Sequence, residues 1–355
     1  RRPVRDEMAL MRAGGGAENI WIVPRDQNHT RRLCERVMAL DRKEQYMDVF
    51  TELAVIAKVQ SVKSSNAIEG IVTTDKRIEE IVNQNSNPLN HNEQEILGYK
   101  DALNIVHTNY ETISFNVDSI KNLHRIMLEH TELTHRGEFK KEDNVIREKY
   151  ADGRTNIRFM PVKAVDTLDA MEELTYAYME ARDDSNINQL LLIPCVILDF
   201  LCIHPFTDGN GRISRLITIV MLQQVGFDIS RYISMEAKIN EYKYGYYESL
   251  KNSSNGWHEN QSNYIPFITY FLQILYACYR EMDEKFMEYS IHAIPKNQLV
   301  ENLLLNSFVP VSKTDILSRL PDISVTTVER VLSYMLKEGK IVKIGTYRNA
   351  RYKVR

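Results

Sequence analysis

Long apolar runs are missing from this 355-residue chain. The richest stretch, residues 190–206, is interrupted by Pro194, Asp199 and His204, which argues against a membrane-spanning helix. Cysteine is scarce. Cys34, Cys195, Cys202 and Cys278 stand apart with no CxxC spacing. They imply reduced, mostly buried thiols of a cytoplasmic protein, with neither a disulfide framework nor a zinc site. The first residues are charged and carry no apolar core before small residues, so a secretory leader is not expected. Low-complexity sequence is absent too: hydrophobic residues make up 43% and charged residues 26%, which excludes a disordered or collagen-like chain. A chain of this length buries roughly 75% of the surface its unfolded form exposes. Two or three domains can therefore form without covalent staples.

The charge is unevenly placed. The net charge is −3, yet residues 285–355 hold 12 Lys+Arg against 6 Asp+Glu. An acidic body with a basic tail suggests that the tail meets nucleic acid, while a mildly basic small helical domain accounts for it equally well.

The pattern predicts an all-α protein. Residues 1–45 read as a loose arm around Gly14-Gly15-Gly16, followed by a first helix from Arg31. Met47, Phe50, Leu53, Ala54, Ala57 and Val62 continue at helical spacing up to a stop at Gly70. A loop is expected over 83–92, then helices over 93–110 and 119–130. Residues 144–149 and 156–160 read as two short strands joined by an Asp152-Gly153 turn. A lone hairpin buries little, so it is expected to be a flap. Helices are expected over 165–181, 187–203, 213–225 and 265–287. The second of these is apolar nearly all round and belongs at the centre of a bundle. The last residues predict three helices and two strands, 341–344 and 351–354, resembling a winged helix-turn-helix. That unit would serve DNA binding or a protein–protein contact. The expected divisions are 1–45, 46–115, 116–284 and 285–355.

The densest chemistry lies just after the apolar helix: His204-Pro205-Phe206-Thr207-Asp208-Gly209-Asn210-Gly211-Arg212-Ile213-Ser214-Arg215. Gly209 and Gly211 clear side chains from the approach to a helix N-terminus, where free N–H groups favour an anion. Arg212 and Arg215 share one helical face and can grip more than one phosphate. Asp208 offers a hard oxygen ligand for Mg²⁺. His204 is the residue able to take a proton near neutral pH. A base, an anion nest, a metal carboxylate and two arginines together indicate phosphoryl or nucleotidyl transfer.

This segment resembles the motif of the Fic family, HxFx(D/E)GNGRxxR, at every fixed position. The resemblance spans roughly residues 51–275. It implies an all-α Fic-type bundle with a β-hairpin flap over 143–160, and transfer of AMP from ATP to a protein hydroxyl. His204 would then be the general base and Asp208 the Mg²⁺ ligand. Phe206, Gly209, Asn210, Gly211, Arg212 and Arg215 would belong to the nucleotide site. Tyr246 and Tyr247 lie where relatives place a tyrosine pair near the nucleotide, although core packing explains them as well. The flap would dock the target segment by strand addition.

A second motif, Ser65-Asn66-Ala67-Ile68-Glu69-Gly70, resembles the family's inhibitory motif (S/T)xxxE(G/N). Gly70 reads as a helix stop, so Glu69 lies at a helix C-terminus, where its charge opposes the dipole and calls for a cation. Arg215 would supply it and could not then hold a γ-phosphate. The reading is an auto-inhibited protein adenylyltransferase with a Ser, Thr or Tyr target, the chain itself included, and a homodimer among its expected partners. Two alternatives stay open: removal of AMP by the same site, and a nucleotide-sensing DNA-binding regulator.

Overall fold

The computed structural model describes residues 47–149, 154–184, 186–293, 296–305, 307, 310–320, 323–345 and 350–354. The expected arm and first helix of 1–45, the Asp152-Gly153 turn and Cys34 lie outside them. The chain divides into two units, 1–282 and 283–355, and the division falls within one long helix.

Helix α1 (Met47–Ile68) ends at Gly70, whose φ of +83° is a left-handed stop. Its last turn closes with Ile71 N–H donating to Asn66 O at 3.0 Å and Gly70 N–H to Ala67 O at 3.1 Å. Next comes α2 (Asp75–Gln84), capped by Thr74 and ended by left-handed Asn85, with Ile78, Ile81 and Val82 buried. Part of this helix falls in the loop expected over 83–92, and the rest was not foreseen. At ten residues it is too short to display a long periodic run.

Helices α3 (His91–Asn109) and α4 (Val117–Met127) follow, each started by an asparagine N-cap. Strands β1 (Ile146–Lys149) and β2 (Thr155–Phe159) form the antiparallel hairpin, with an irregularity between Ile146 and Arg147. Then come α5 (Thr167–Arg182) and α6 (Gln189–Ile203). From Leu192 to Ile203 every residue of α6 is buried, so this helix is the core of the unit. Helices α7 (Asn210–Gln224), α8 (Met235–Glu241), α9 (Lys243–Ser254) and α10 (Ile265–Ala293) complete it. Asp199, buried inside α6, accepts from Trp257 Nε1 at 2.7 Å and from the Tyr264 hydroxyl, and so ties the segment after α9 to the core.

The smaller unit has α11 (Lys296–Leu305), α12 (Lys313–Arg319) and α13 (Val325–Lys337). Its sheet has three strands, not the two expected: β3 (Val311–Ser312), β4 (Ile341–Ile344) and β5 (Arg351–Val354), in the order β3-β5-β4. At two residues, β3 is too short to show alternation. Ser312 closes a capping box with Asp315 at the start of α12. Val300, Ile316, Val328, Leu332, Met335 and Tyr352 belong to the core of this unit.

Candidate active site

The site begins where α6 stops. His204 ends that helix in the left-handed region, at φ 53°, and its N–H closes the last turn on Phe200 O at 2.9 Å. Its Nδ1 lies 3.3 Å from the Leu201 carbonyl. The tautomer that donates this bond leaves the lone pair on Nε2. Burial pushes the imidazole down to about 4, so the ring is neutral at pH 7 and able to accept a proton.

The loop is held from within. Phe206 N–H donates to Asn210 Oδ1 at 2.9 Å, and Asn210 Nδ2 donates back to Phe206 O at 2.8 Å. The Phe206 ring is fully buried and stacks on His124, with centroids 3.8 Å apart and planes 6° apart. Phe206 and the Asn210 side chain therefore shape the loop from inside.

Gly209, at φ +80°, is the N-cap of α7. A Cβ there would press on Met127 Cε at 2.7 Å. The first intrahelical bond of α7 comes from Ile213 N–H to Gly209 O at 2.9 Å, so the amides of Asn210, Gly211 and Arg212 precede the ladder, as an anion site requires. Asp208 accepts from Gly209 N–H at 2.6 Å, and its side chain is 63% exposed. No group of three or more His, Cys, Asp or Glu side chains able to hold a metal occurs among the described residues. One exposed carboxylate beside an anion site nonetheless fits Mg²⁺, which takes one or two carboxylates and completes its shell with water and substrate phosphates.

The two arginines part ways. Arg212 is fully buried, with Nη2 2.7 Å from Glu95 Oε2 and 3.5 Å from Asp208 Oδ2. Its contact with Glu95 is a close ion pair without an aligned hydrogen bond. Arg215 turns toward α1. Its Nε donates to Ser65 Oγ at 2.8 Å, and Nη2 donates to Ser65 O at 2.8 Å and to Glu69 Oε1 at 2.9 Å. Nη1 is buried without a hydrogen-bond partner among the described residues. The Glu69 carboxylate also lies against Gly211, where any Cβ would collide with Oε1. Glu69 thus sits both on Arg215 and on the first turn of α7.

Tyr246 and Tyr247 have different surroundings. Tyr246 is buried against Phe267 and Tyr270. Tyr247 is more exposed, and its hydroxyl donates to Ile68 O at 3.3 Å, the same carbonyl that accepts from Lys243 Nζ at 2.7 Å. These two residues fix the end of α1. The hairpin is held by Lys251–Glu148 at 2.8 Å and by Phe159 stacked on His258, whose Nε2 lies 2.6 Å from Met160 O.

Sequence reasoning missed several supports. His124 receives Gly137 N–H on Nδ1 at 2.9 Å and therefore donates from Nε2 to Asp208 O at 3.1 Å. Its one signal was a lone histidine among Ile120, Leu123 and Met127 on the buried face of α4. Glu95, Asn66, Lys140 and Asn144 gave no local signal.

Residues 114–222 match the Fic/DOC family. "Protein adenylyltransferase Fic" of Nematostella vectensis is 25% identical over 209 residues, covering 56% of this chain and 44% of that relative. The chain thus spans less than half the length of this curated relative. Three solved structures share the fold. A Fic family protein from Desulfovibrio desulfuricans G20 superposes with a TM-score of 0.58 at 16% identity, covering 94% of this chain and 97% of its own. A Fic domain-containing signaling protein from Bacteroides thetaiotaomicron gives 0.54 at 19%, covering 66% and 90%. Fic-1 of C. elegans (residues 134–508) gives 0.52 at 18%, covering 78% and 79%. The motif His204 to Arg215 falls inside the matched segment, and the chain carries a Fic/DOC-family domain over residues 114–222.

Proposed function

We propose that this chain is a protein adenylyltransferase, moving AMP from ATP to a Ser, Thr or Tyr hydroxyl of a target protein, and that Glu69 holds it inactive. The observation that carries the reading is His204: a neutral ring whose Nε2 has no hydrogen-bond partner among the described residues, on a loop that leads directly into the start of α7. In the reaction, Nε2 accepts the proton of the target hydroxyl while that oxygen attacks the α-phosphorus and pyrophosphate leaves. The amides of Gly211 and its neighbours and the Arg215 guanidinium would stabilise the phosphate charge. Arg212, paired with Glu95 and 3.5 Å from Asp208, would brace the loop from beneath. Asp208 would hold Mg²⁺, which when bound offsets the charge of the phosphates. The occupation of Arg215 by Glu69 supports the inhibition, because the same guanidinium would be needed for the terminal phosphate.

The test is label transfer from α-³²P-ATP with Mg²⁺. Glu69→Gly is expected to gain protein labelling, on itself or on a lysate target, and Glu69→Gly with His204→Ala to lose it. Silence of every variant would remove the transferase reading. AMP release from a labelled protein by the unmodified chain would favour the reverse reaction at the same site.

For the smaller unit we infer contact with duplex DNA as a second role. Lys337, Lys343 and Lys353 are exposed and form no ion pair among the described residues. Binding of a random duplex by the full chain, weakening steeply from 50 to 200 mM salt, is expected. No binding at low salt would leave a protein contact as the use of this unit.

A further inference from the structure

Lys140 is a buried cation beside the base that the reaction above does not use. It precedes β1 and is 4% exposed. Its Nζ donates to Ile203 O at 3.1 Å and to Asn144 Oδ1 at 2.9 Å. Its backbone N–H donates to Pro205 O at 2.8 Å, and Asn144 Nδ2 donates to Phe206 O at 3.2 Å. The carbonyls of residues 203, 205 and 206, on either side of His204, are therefore tied to these two residues.

Two physical features make these ties more than ordinary packing. Ile203 is the last residue of α6, and its carbonyl is one of the helix's unsatisfied acceptors, at the end where the dipole favours a cation. An exposed lysine could meet that need without the desolvation cost of a buried ammonium. Lys140 has no ion pair among the described residues to offset that cost. Burial accordingly lowers its proton affinity, to about 8. The second feature is the left-handed backbone of His204, φ 53°, an uncommon conformation for a residue with a Cβ. Such conformations persist where the surroundings over-determine them.

We propose that Lys140, together with Asn144, is a positioning residue for the transfer reaction: it clamps the backbone around His204 so that Nε2 stays aimed at the target hydroxyl. This inference rests on the transferase reading. The charged groups that bear on His204 are Lys140, Glu69 and Asp208, and Asp143 bears on Lys140. The Lys140 side chain is separate from the phosphate side of the site, which is built on α7 and α1: its bonds go to Ile203 O and Asn144 Oδ1, and Asn144 alone reaches the Phe206 carbonyl that Asn210 shares. Its loss should therefore change turnover and leave nucleotide binding alone.

The experiment uses the full chain in the Glu69→Gly background, measuring kcat, KM for ATP and the affinity for ATP with Mg²⁺. Lys140→Met is expected to lower kcat roughly 10- to 100-fold, as a misplaced catalytic group does, with ATP affinity unchanged. Lys140→Arg, which keeps the charge and the donors, is expected to restore most of kcat. In histidine-labelled protein the His204 ring resonance should move in Lys140→Met and return in Lys140→Arg. Unchanged kcat in Lys140→Met, or an equal fall in kcat and ATP affinity that arginine does not rescue, would overturn the clamp. Should Lys140→Met fail to fold, Asn144→Ala, which removes one tie, carries the same comparison. If Glu69→Gly itself labels nothing, the transferase reading fails on its own. The His204 resonance then decides the clamp, and a ring that does not respond to Lys140→Met overturns it.

Discussion

Arg215 Nη2 donates to Glu69 Oε1 at 2.9 Å across 146 residues of sequence. The Arg215 side chain is 4% exposed and the Glu69 side chain 33%, so the bond is partly shielded from water. Ser65, one turn earlier on α1, supplies two further acceptors to the same arginine. Arg215 is thereby held by three acceptors on the end of one helix.

Removing Glu69 should weaken the protein and strengthen its hold on nucleotide. Glu69→Gly is expected to lose about 1.5–3 kcal/mol of stability, the worth of a hydrogen bond to a charged group. Thermal unfolding should also show a larger rise in Tm on adding ATP and Mg²⁺ than the unmodified chain shows. An equal rise in both would argue that Glu69 and nucleotide do not compete for Arg215.

Gly211→Ala offers a sharper test of the same contact. Its new Cβ would strike the Glu69 carboxylate. The substitution should cost more stability in the unmodified chain than in Glu69→Gly, a coupling of about 1 kcal/mol or more in urea unfolding. Additive effects would mean that the carboxylate does not rest on that turn.

The pairing of Arg212 with Glu95 should be costly to break. Both side chains are buried, so Glu95→Leu leaves a guanidinium with, among the described residues, only the more distant Asp208 as a counter-charge. A loss of about 3–5 kcal/mol is expected, and Arg212→Met added to Glu95→Leu should recover much of it. Denaturant midpoints of the three proteins check this.

Acid should loosen the fold through its buried histidines. Burial pushes His107 and His124 down to about 4, below the 6.5 of an exposed imidazole. Between those values the unfolded chain binds more protons, so the stability they contribute is full above about pH 6.5 and declines as the pH falls toward 4. At pH 5 the decline is about 2 kcal/mol for each histidine. Tm measured from pH 7 to 5 should fall, and less steeply in His124→Asn.

Much of the candidate site was legible because its residues are local. His204 to Arg215 form one loop and one helix start, and Gly70 announced the stop that leaves Glu69 at a helix end. Helix α6 was legible from its apolar circumference. The supports were not, because each is a long-range partner of an ordinary type: His124 reaches Asp208 across 84 residues and Lys140 reaches Ile203 across 63. The inward turn of Phe206 and Arg212 depends on Asn210 bonding back to residue 206 and on Glu95 from α3, neither of which spacing reveals. Helices α2, α8 and α9 and strand β3 were missed as short elements whose burial is decided by neighbours.

On the proposed reading of Glu69, the fixed end of α1 has a consequence for control. Lys243 and Tyr247 pin the Ile68 carbonyl, so Glu69 is not a free solute but a ligand tethered beside Arg215. A short flexible tether already gives an effective concentration in the mM range, and a pinned helix end raises it further. More ATP would therefore be a poor key. What would open the site is a force that draws the end of α1 away from α9, and the two donors on Ile68 set how hard it must pull.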